Sequence, residues 1–181
     1  DGSDFGVNIS FELQKKAEGI AQSFLIGKKF IGQDNVCLIL GDNFFYGQSL
    51  TNKLKKCIKI KTGCKILLHP VSRPELYGVA SIKKGNQVSS LKEKPKNSKS
   101  NLAVTGLYFF DNKVVELSKL LKPSKRGELE IIDLLSKYKK NKKLSAEFIG
   151  RGGAWLDTGS IDDFYNTSSF VAALENRQGL K

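Results

Sequence analysis

What this chain lacks narrows it first. Its 181 residues include no methionine, and it opens Asp1-Gly2-Ser3-Asp4, so the expectation is a piece of a longer protein. No apolar run nears the roughly 20 residues that span a bilayer, and the first residues lack the basic-then-apolar layout of a signal peptide. A cytoplasmic protein is expected. The three cysteines, Cys37, Cys57 and Cys64, show no C-x-x-C spacing, which argues against a disulfide scaffold and against a zinc site. His69 is the only histidine. With no Ser or Cys elbow beside it, it reads as structural, and no Ser-His-Asp or Cys-His catalyst is suggested. Neither G-x-G-x-x-G nor a Walker loop occurs, because Gly150-Arg151-Gly152-Gly153 has the wrong spacing.

Arginine is also scarce. Only Arg73, Arg126, Arg151 and Arg177 are present, so 26 of the 30 basic residues are lysines, set against 18 acidic residues for a net charge of +12. In Leu50 to Lys61 the apolar stripe Leu50, Leu54, Cys57 and Ile58 leaves Lys53, Lys55, Lys56 and Lys59 pointing elsewhere. That is the pattern of a solvated lysine coat. No helix-turn-helix, ribonucleoprotein motif or zinc finger accompanies it, so nucleic acid is not the expected partner. The charge still favours small anions such as nucleotides and sugar phosphates. With 40% apolar residues the chain is expected to fold, as one domain.

Helical and strand periods alternate. A helix is expected over residues 18 to 30, with Ile20, Ala21 and Phe24 inward. Val36 to Leu40 reads as a strand buried on both faces. Then come the lysine-coated helix, a strand at 64 to 69, three β segments at 78 to 82, 88 to 93 and 103 to 110, and helices at 114 to 121 and 129 to 140, the first N-capped by Asp111-Asn112. A strand at 144 to 149 and a helix at 161 to 176, opened by a Ser160/Asp163 capping box, complete the pattern. The expected fold class is α/β, a Rossmann-like layered mixed sheet, with a β-rich insertion near 70 to 110.

Asp42 follows the strand Val36 to Leu40 directly, and ligands of open α/β sheets bind at the carboxyl ends of strands. A carboxylate there suits Mg²⁺ held against phosphate oxygens; an N-cap or Asx-turn role fits the isolated residue as well. Asp157 stands in Gly152-Gly153-Ala154-Trp155-Leu156-Asp157-Thr158-Gly159, which could equally be a tight turn. Lys94 precedes Pro95, which favours an extended predecessor, so Glu93 and Lys94 are expected on opposite faces.

Together these stretches resemble the sugar-1-phosphate nucleotidyltransferase family. The resemblance runs in order through Leu40-Gly41-Asp42-Asn43, Glu75-Leu76-Tyr77-Gly78-Val79, Glu93-Lys94-Pro95 and Ala103-Val104-Thr105-Gly106-Leu107-Tyr108. It continues through Arg126-Gly127-Glu128-Leu129-Glu130, Trp155-Leu156-Asp157-Thr158-Gly159 and Arg177-Gln178-Gly179-Leu180-Lys181. It implies one incomplete catalytic domain over 1 to 181 that transfers a nucleotidyl group from dTTP to glucose 1-phosphate, with Mg²⁺ as cofactor and a homo-oligomeric whole protein. It implies Asp42 and Asp157 as metal ligands, and Gln14 and Gly19 as thymine contacts. Gly78, Glu93 and Val104 match positions around the glucose, Lys94 and Arg126 match cations facing its phosphate, and Tyr108 lines the same pocket. Nothing here matches the family's glycine-rich triphosphate loop, so the isolated chain is expected to be inactive. Ala17 stands where the family typically has proline, which loosens the base-binding loop. A uridylyl or cytidylyl relative, an inactive sugar-nucleotide-binding or regulatory module, and a basic interaction protein are the alternatives.

Overall fold

The continuous apolar runs become strands and the amphipathic runs become helices, and their order sets the layers. The computed structural model describes residues 1–179; Leu180 and Lys181, the end of the last resembling stretch, lie outside the described residues. In chain order the elements are α1 (Ser23–Ile26), α2 (Lys28–Ile31), β1 (Val36–Ile39), β2 (Asn43–Gly47), α3 (Leu50–Ile58), β3 (Cys64–Pro70), β4 (Gly78–Lys83) and β5 (Gln87–Glu93). They continue as β6 (Leu102–Phe110), α4 (Val114–Lys119), α5 (Ile131–Lys140), β7 (Leu144–Phe148), β8 (Gly153–Asp157) and α6 (Ile161–Gln178).

Six strands form one mixed sheet in the order β1-β6-β3-β7-β5-β4, with β4 also touching β6. Its pairings are antiparallel except for β3 with β7. The remaining two, β2 and β8, make a separate antiparallel ribbon. β6 shows why its sequence carries an unbroken apolar run: Val104, Tyr108 and Phe110 pack toward α1, α4 and α5, while Ala103, Leu107 and Phe109 pack toward α3 and Trp155 of the ribbon. A strand covered on both faces has no polar side to alternate with. The α/β layering expected from the sequence is the one observed.

Several local expectations give way. β1 is covered on one face only: Val36 and Leu38 pack inward, but Cys37 is exposed and Ile39 is 62% exposed. Among the described residues β1 pairs with β6 alone, so it is an edge strand. The expected helix over 18 to 30 is broken into a 3₁₀ turn at Ile20–Gln22, then α1 and α2 on either side of Gly27. Ala21 and Phe24 are buried as expected, but the tighter 3₁₀ turn leaves Ile20 partly exposed. On α3, Ile58 turns outward and Ile60 takes its place against the core.

Asp111 does not cap α4, whose N-cap is Lys113 with no side-chain bond. Its carboxylate is buried instead, accepting from the Gly63 N–H at 2.6 Å and from the Tyr138 hydroxyl at 2.7 Å. This ties the turn before β3 to α5 across the core. The Ser160/Asp163 box is present: Ser160 Oγ accepts from the Asp163 N–H at 3.1 Å and donates to its carboxylate at 2.6 Å. Removing the Asp111 carboxylate strands two buried donors, each costing about 1–3 kcal/mol. Asp111→Ala should therefore lower unfolding stability by roughly 2–5 kcal/mol in urea titration, and Tyr138→Phe by less. A loss of under about 1 kcal/mol for Asp111→Ala would show the carboxylate is not the tie.

Candidate active site

β6 has two edges and divides one of them. Along the first it pairs with β3 from end to end; along the second, β1 takes Leu107 to Phe110 and β4 takes Leu102 and Ala103. Val104, Thr105 and Gly106 have no paired strand residue on that side. At Gly106 the gap's backbone groups are satisfied locally, because Leu40 N–H donates to the Gly106 carbonyl at 2.9 Å and Gly106 N–H donates to Asn43 Oδ1 at 2.9 Å. Opposite the gap the β3–β6 register shifts, and Thr105 Oγ1 donates to the Leu67 carbonyl at 3.1 Å. Such bulges cluster beside sites.

Asp42 leaves β1 at this gap. The chain turns tightly, with Asn43 N–H on the Leu40 carbonyl at 3.3 Å, and enters β2. In the ribbon Asn43 lies opposite Asp157, while the Thr158 N–H and hydroxyl donate to the Asp42 carbonyl at 2.8 and 2.9 Å. The two aspartates, 115 positions apart in the chain, thus become neighbours. Burial raises Asp157 above the ordinary carboxylate range. The Gly159 N–H on its Oδ1, at 2.9 Å, opposes this, the charges of Asp42 and Asp163 add to the rise, and Lys94 pulls it back down.

A divalent cation fits this pair by its donor chemistry. Among the described residues no group of three or more His, Cys, Asp or Glu converges anywhere. Two carboxylates at a surface are what Mg²⁺ takes when phosphate oxygens complete its shell.

Gly78 stands one residue before the Val79–Ala103 pair, which brings it opposite Val104, and it pairs with Glu93 on its other side. A Cβ at Gly78 would lie 2.8 Å from Ile132 Cδ1 and 3.3 Å from Glu93 Oε2, so glycine keeps the approach to Glu93 open. Partial desolvation raises Glu93 above its ordinary range; Lys94 and Arg126 oppose this, and Glu130 reinforces it. Lys94 is not extended as expected. Its φ is 38°, and its N–H donates to the Tyr77 carbonyl at 3.0 Å, a turn that overrides the pre-proline preference at some cost in strain. The turn brings Lys94 within electrostatic reach of both Glu93 and Asp157.

Arg126 is engaged with a carboxylate, Nη2 reaching Glu130 Oε2 at 2.9 Å and Oε1 at 3.0 Å. Arg126 is about half exposed, whereas the Glu130 side chain is mostly buried and also accepts from Ser124 Oγ at 2.7 Å. Tyr108 and Val104 are buried in the core, Tyr108 stacked on Phe110. The burial of Tyr108, with the charges of Glu93 and Asp42 nearby, pushes its phenol well above the usual range.

Gln14 and Gly19 come together beyond Leu129. Gly19 has φ 97° and a Cβ there would meet Leu129 backbone at 2.5 Å; Leu129 N–H bonds the Glu18 carbonyl at 2.7 Å. Only glycine suits that conformation and that approach. Gln14 Nε2 donates to the Gly19 carbonyl at 3.2 Å and to Gln22 Oε1, and Gln22 Nε2 donates to Glu18. The segment from Arg126 to Glu130 therefore links the Gln14–Gly19 turn to the neighbourhood of Glu93.

The sequence did not single out Asn43, Tyr77, Trp155 or Thr158. The aromatic run Phe44-Phe45-Tyr46 was a usable strand signal, but without polar alternation it did not announce the ribbon. His69, read as structural, sits edge-on to Trp155 with a ring separation of 6.5 Å and a buried Nδ1 that finds no partner among the described residues. Burial lowers its pKa from 6.5. Below pH 6.5 the unfolded chain takes up a proton that the folded imidazole resists, so stability falls as pH drops toward the folded pKa. Thermal unfolding should show this loss as pH falls below about 6.5, and His69→Phe should flatten it. An unchanged slope would assign the acid sensitivity to other groups.

The nucleotidyl transferase family profile matches residues 1–173. A glucose-1-phosphate thymidylyltransferase of Neisseria meningitidis serogroup A is 49% identical over 180 residues, 99% of this chain and 62% of that protein. One from Mycolicibacterium smegmatis is 48% identical over 181 residues, 100% of this chain and 62% of its own length. A Bacillus anthracis crystal structure, described as that of a candidate glucose-1-phosphate thymidylyltransferase with sucrose, superposes with a TM-score of 0.83 at 38% identity. It covers 93% of this chain and 67% of that one. A UDP-glucose pyrophosphorylase complexed with UDP-glucose gives 0.78 at 26% identity, covering 88% and 64%. The chain thus spans about three fifths of the length of the curated relatives it matches. With a profile match over nearly its whole length and an α/β sheet shared with solved relatives, the chain belongs to the nucleotidyl transferase family.

Proposed function

We propose that the full-length protein carrying this chain transfers thymidylyl from dTTP to glucose 1-phosphate, giving dTDP-glucose and pyrophosphate. The single observation that carries this reading is the approach of Asp42 to Asp157 at the end of the β2–β8 ribbon, where Asn43 pairs with Asp157, beside the gap in β6 that Gly78, Glu93 and Lys94 border. A phosphate oxygen of glucose 1-phosphate forms a bond to the α-phosphorus of dTTP, and the bond from that phosphorus to the bridging oxygen breaks. Pyrophosphate leaves with the electron pair. The nucleophile is already an anion at pH 7, so the protein has no proton to remove, and its work is positioning and charge compensation.

Lys94 and Arg126 hold the nucleophilic phosphate near the triphosphate against like-charge repulsion, Arg126 giving up Glu130 to do so. Glu93 accepts from sugar hydroxyls beside Gly78. Mg²⁺ on Asp42 and Asp157, when bound, supplies charge neutralisation at the α-phosphate. Asp42→Asn and Asp157→Asn should each lower kcat by orders of magnitude. Lys94→Ala should raise KM for glucose 1-phosphate more than for dTTP. Near wild-type kcat in either aspartate variant would remove that residue from the site. Residues 1–181 alone should release no pyrophosphate under conditions where the full-length protein does.

The base end supports a pyrimidine imide. An ionised Glu18 can only accept, so Gln22 must turn its NH₂ to Glu18 and its oxygen to Gln14, which in turn presents its own oxygen outward. That oxygen accepts from thymine N3–H, and the Gly19 N–H, unbonded among the described residues, serves O4. Cytosine offers the opposite polarity at both positions, at about 1–3 kcal/mol for each unmatched group. Uracil lacks one methyl, worth about 1 kcal/mol. Accordingly kcat/KM should fall modestly from dTTP to UTP and steeply to CTP, and Gln22→Leu should narrow the dTTP-to-CTP gap only in part, because the Gly19 carbonyl still accepts from the Gln14 amide. CTP matching dTTP in the unmutated protein would sink the thymidylyl reading.

The UDP-glucose pyrophosphorylase likeness favours one second reading, a uridylyltransferase, which UTP outperforming dTTP would establish. No helix among the described residues is long and apolar enough to cross a membrane. A cytoplasmic homo-oligomer is part of the proposal, with light scattering of the full-length protein as the measure of its assembly.

A further inference from the structure

Asn43 occupies a position that no sequence motif assigned to chemistry. Its Oδ1 accepts two N–H groups, from Gly106 at 2.9 Å and from the Trp155 indole at 2.6 Å. Both partners can only donate, so they fix which end of the amide is oxygen. The NH₂ end is thereby forced toward Asp42, where it donates to Oδ1 at 2.8 Å. A flipped amide would set two donors against NH₂ and a carbonyl against a carboxylate. The fit is also steric: a Cβ on Gly106 would lie 2.5 Å from Asn43 Oδ1 and 2.8 Å from Nδ2, so β6 can seat this amide only with glycine there. Asp42 itself is exposed, and among the described residues its carboxylate has no other hydrogen bond. An exposed carboxylate held by nothing else would sample several rotamers.

We propose that Asn43 is a positioning residue, its amide locked by Gly106 and Trp155 so that it holds one oxygen of Asp42 and leaves the other free for a divalent cation. The inference rests on the reading of Asp42 as a metal ligand and adds to it the device that fixes that ligand. Outer-shell hydrogen bonds of this kind are commonly worth a factor of about 10–100 in metal affinity.

The test titrates Mn²⁺ into the full-length protein and follows the free-ion electron paramagnetic resonance signal, with no substrate and no turnover. Asp42→Asn should abolish binding. Asn43→Ala should weaken it about tenfold or more, and Gly106→Ala should weaken it comparably while leaving every polar side chain in place, which keeps the test open if Asn43→Ala fails to fold. Trp155→Phe removes one lock but spares the Asn43–Asp42 bond, so its affinity should stay within about twofold of the unmutated protein. If Asp42→Asn binds Mn²⁺ normally, the ligand reading falls and this inference with it. If Asp42→Asn loses Mn²⁺ while Asn43→Ala and Gly106→Ala bind it normally, the ligand reading stands and the positioning role is overturned. A Trp155→Phe loss as large as that of Asn43→Ala would also overturn it, because packing of the cluster would then account for the effect.

Discussion

A β-strand has two edges and no more, and the division of one edge of β6 is the constraint on which the site depends. β3 takes the first edge at both ends, with a register shift between them, so β1 and β4 must share the second, and they arrive from opposite ends without meeting. The three residues between them cannot be left with bare backbone groups next to a core. Asn43 and Leu40 satisfy Gly106 from the chain that leaves β1. The same two bonds hold Asp42 at the mouth of the gap, while the end of β4 brings Gly78 and Glu93 to its other side. The placing of Asp42 and the approach of Gly78 and Glu93 to it are thus consequences of one topological shortage, the α/β rule of sites at strand ends appearing here in an antiparallel setting.

The ribbon of β2 and β8 turns that location into a charged site. Without it Asp42 would be an isolated carboxylate after a strand. The ladder that sets Asn43 against Asp157 also packs Trp155 onto Leu107 and Phe109 of β6, so the second carboxylate is carried on a buried aromatic anchor rather than on a loop. Rigid support of this kind is what a metal pair needs, since a ligand displaced by an ångström costs much of its effect. The lysine coat is separate from all this. Among the lysines, Lys94 is the one whose backbone is held in an unusual conformation beside the carboxylates.

How much of this the sequence disclosed follows from where each signal is local. The β segments that became β4, β5 and β6 and the capping box of α6 depend on neighbours in the chain, and each appears where the pattern put it. The ribbon depends on pairing across more than a hundred residues, and Asn43 to Gly47 carries no alternation to betray it. β1 misled because an apolar run says that a strand can be buried on both faces, not that both covers are present; Ile39 shows that one is not. Asp111 had the composition of a helix cap and was used as a buried tie between Gly63 and Tyr138, a choice fixed by tertiary neighbours. The strand-end aspartate Asp42 was legible from residue type and position, but its partnership with Asp157 came only through the family resemblance and then through the ladder that joins them.

The carboxylate pair sets function against stability within the fold. Asp157 is partly buried and faces the charge of Asp42, so its ionised form is disfavoured and its pKa rises, whereas an ordinary surface aspartate would be indifferent. A fold selected for stability alone would separate the two or replace one by an amide. What keeps them together is geometry that costs little to maintain: the Thr158 bonds to the Asp42 carbonyl, the Gly159 N–H on Asp157, and the Trp155 anchor behind both. These fix the backbone and leave carboxylate oxygens unspent. On the reading proposed above, a divalent cation would relieve the repulsion between Asp42 and Asp157, so binding it and stabilising the ribbon would be the same event seen from two sides. The proposed reaction would use that coupling directly, since the charge that disfavours an ionised Asp157 is the charge that a metal-bound triphosphate would bring a counterion to meet.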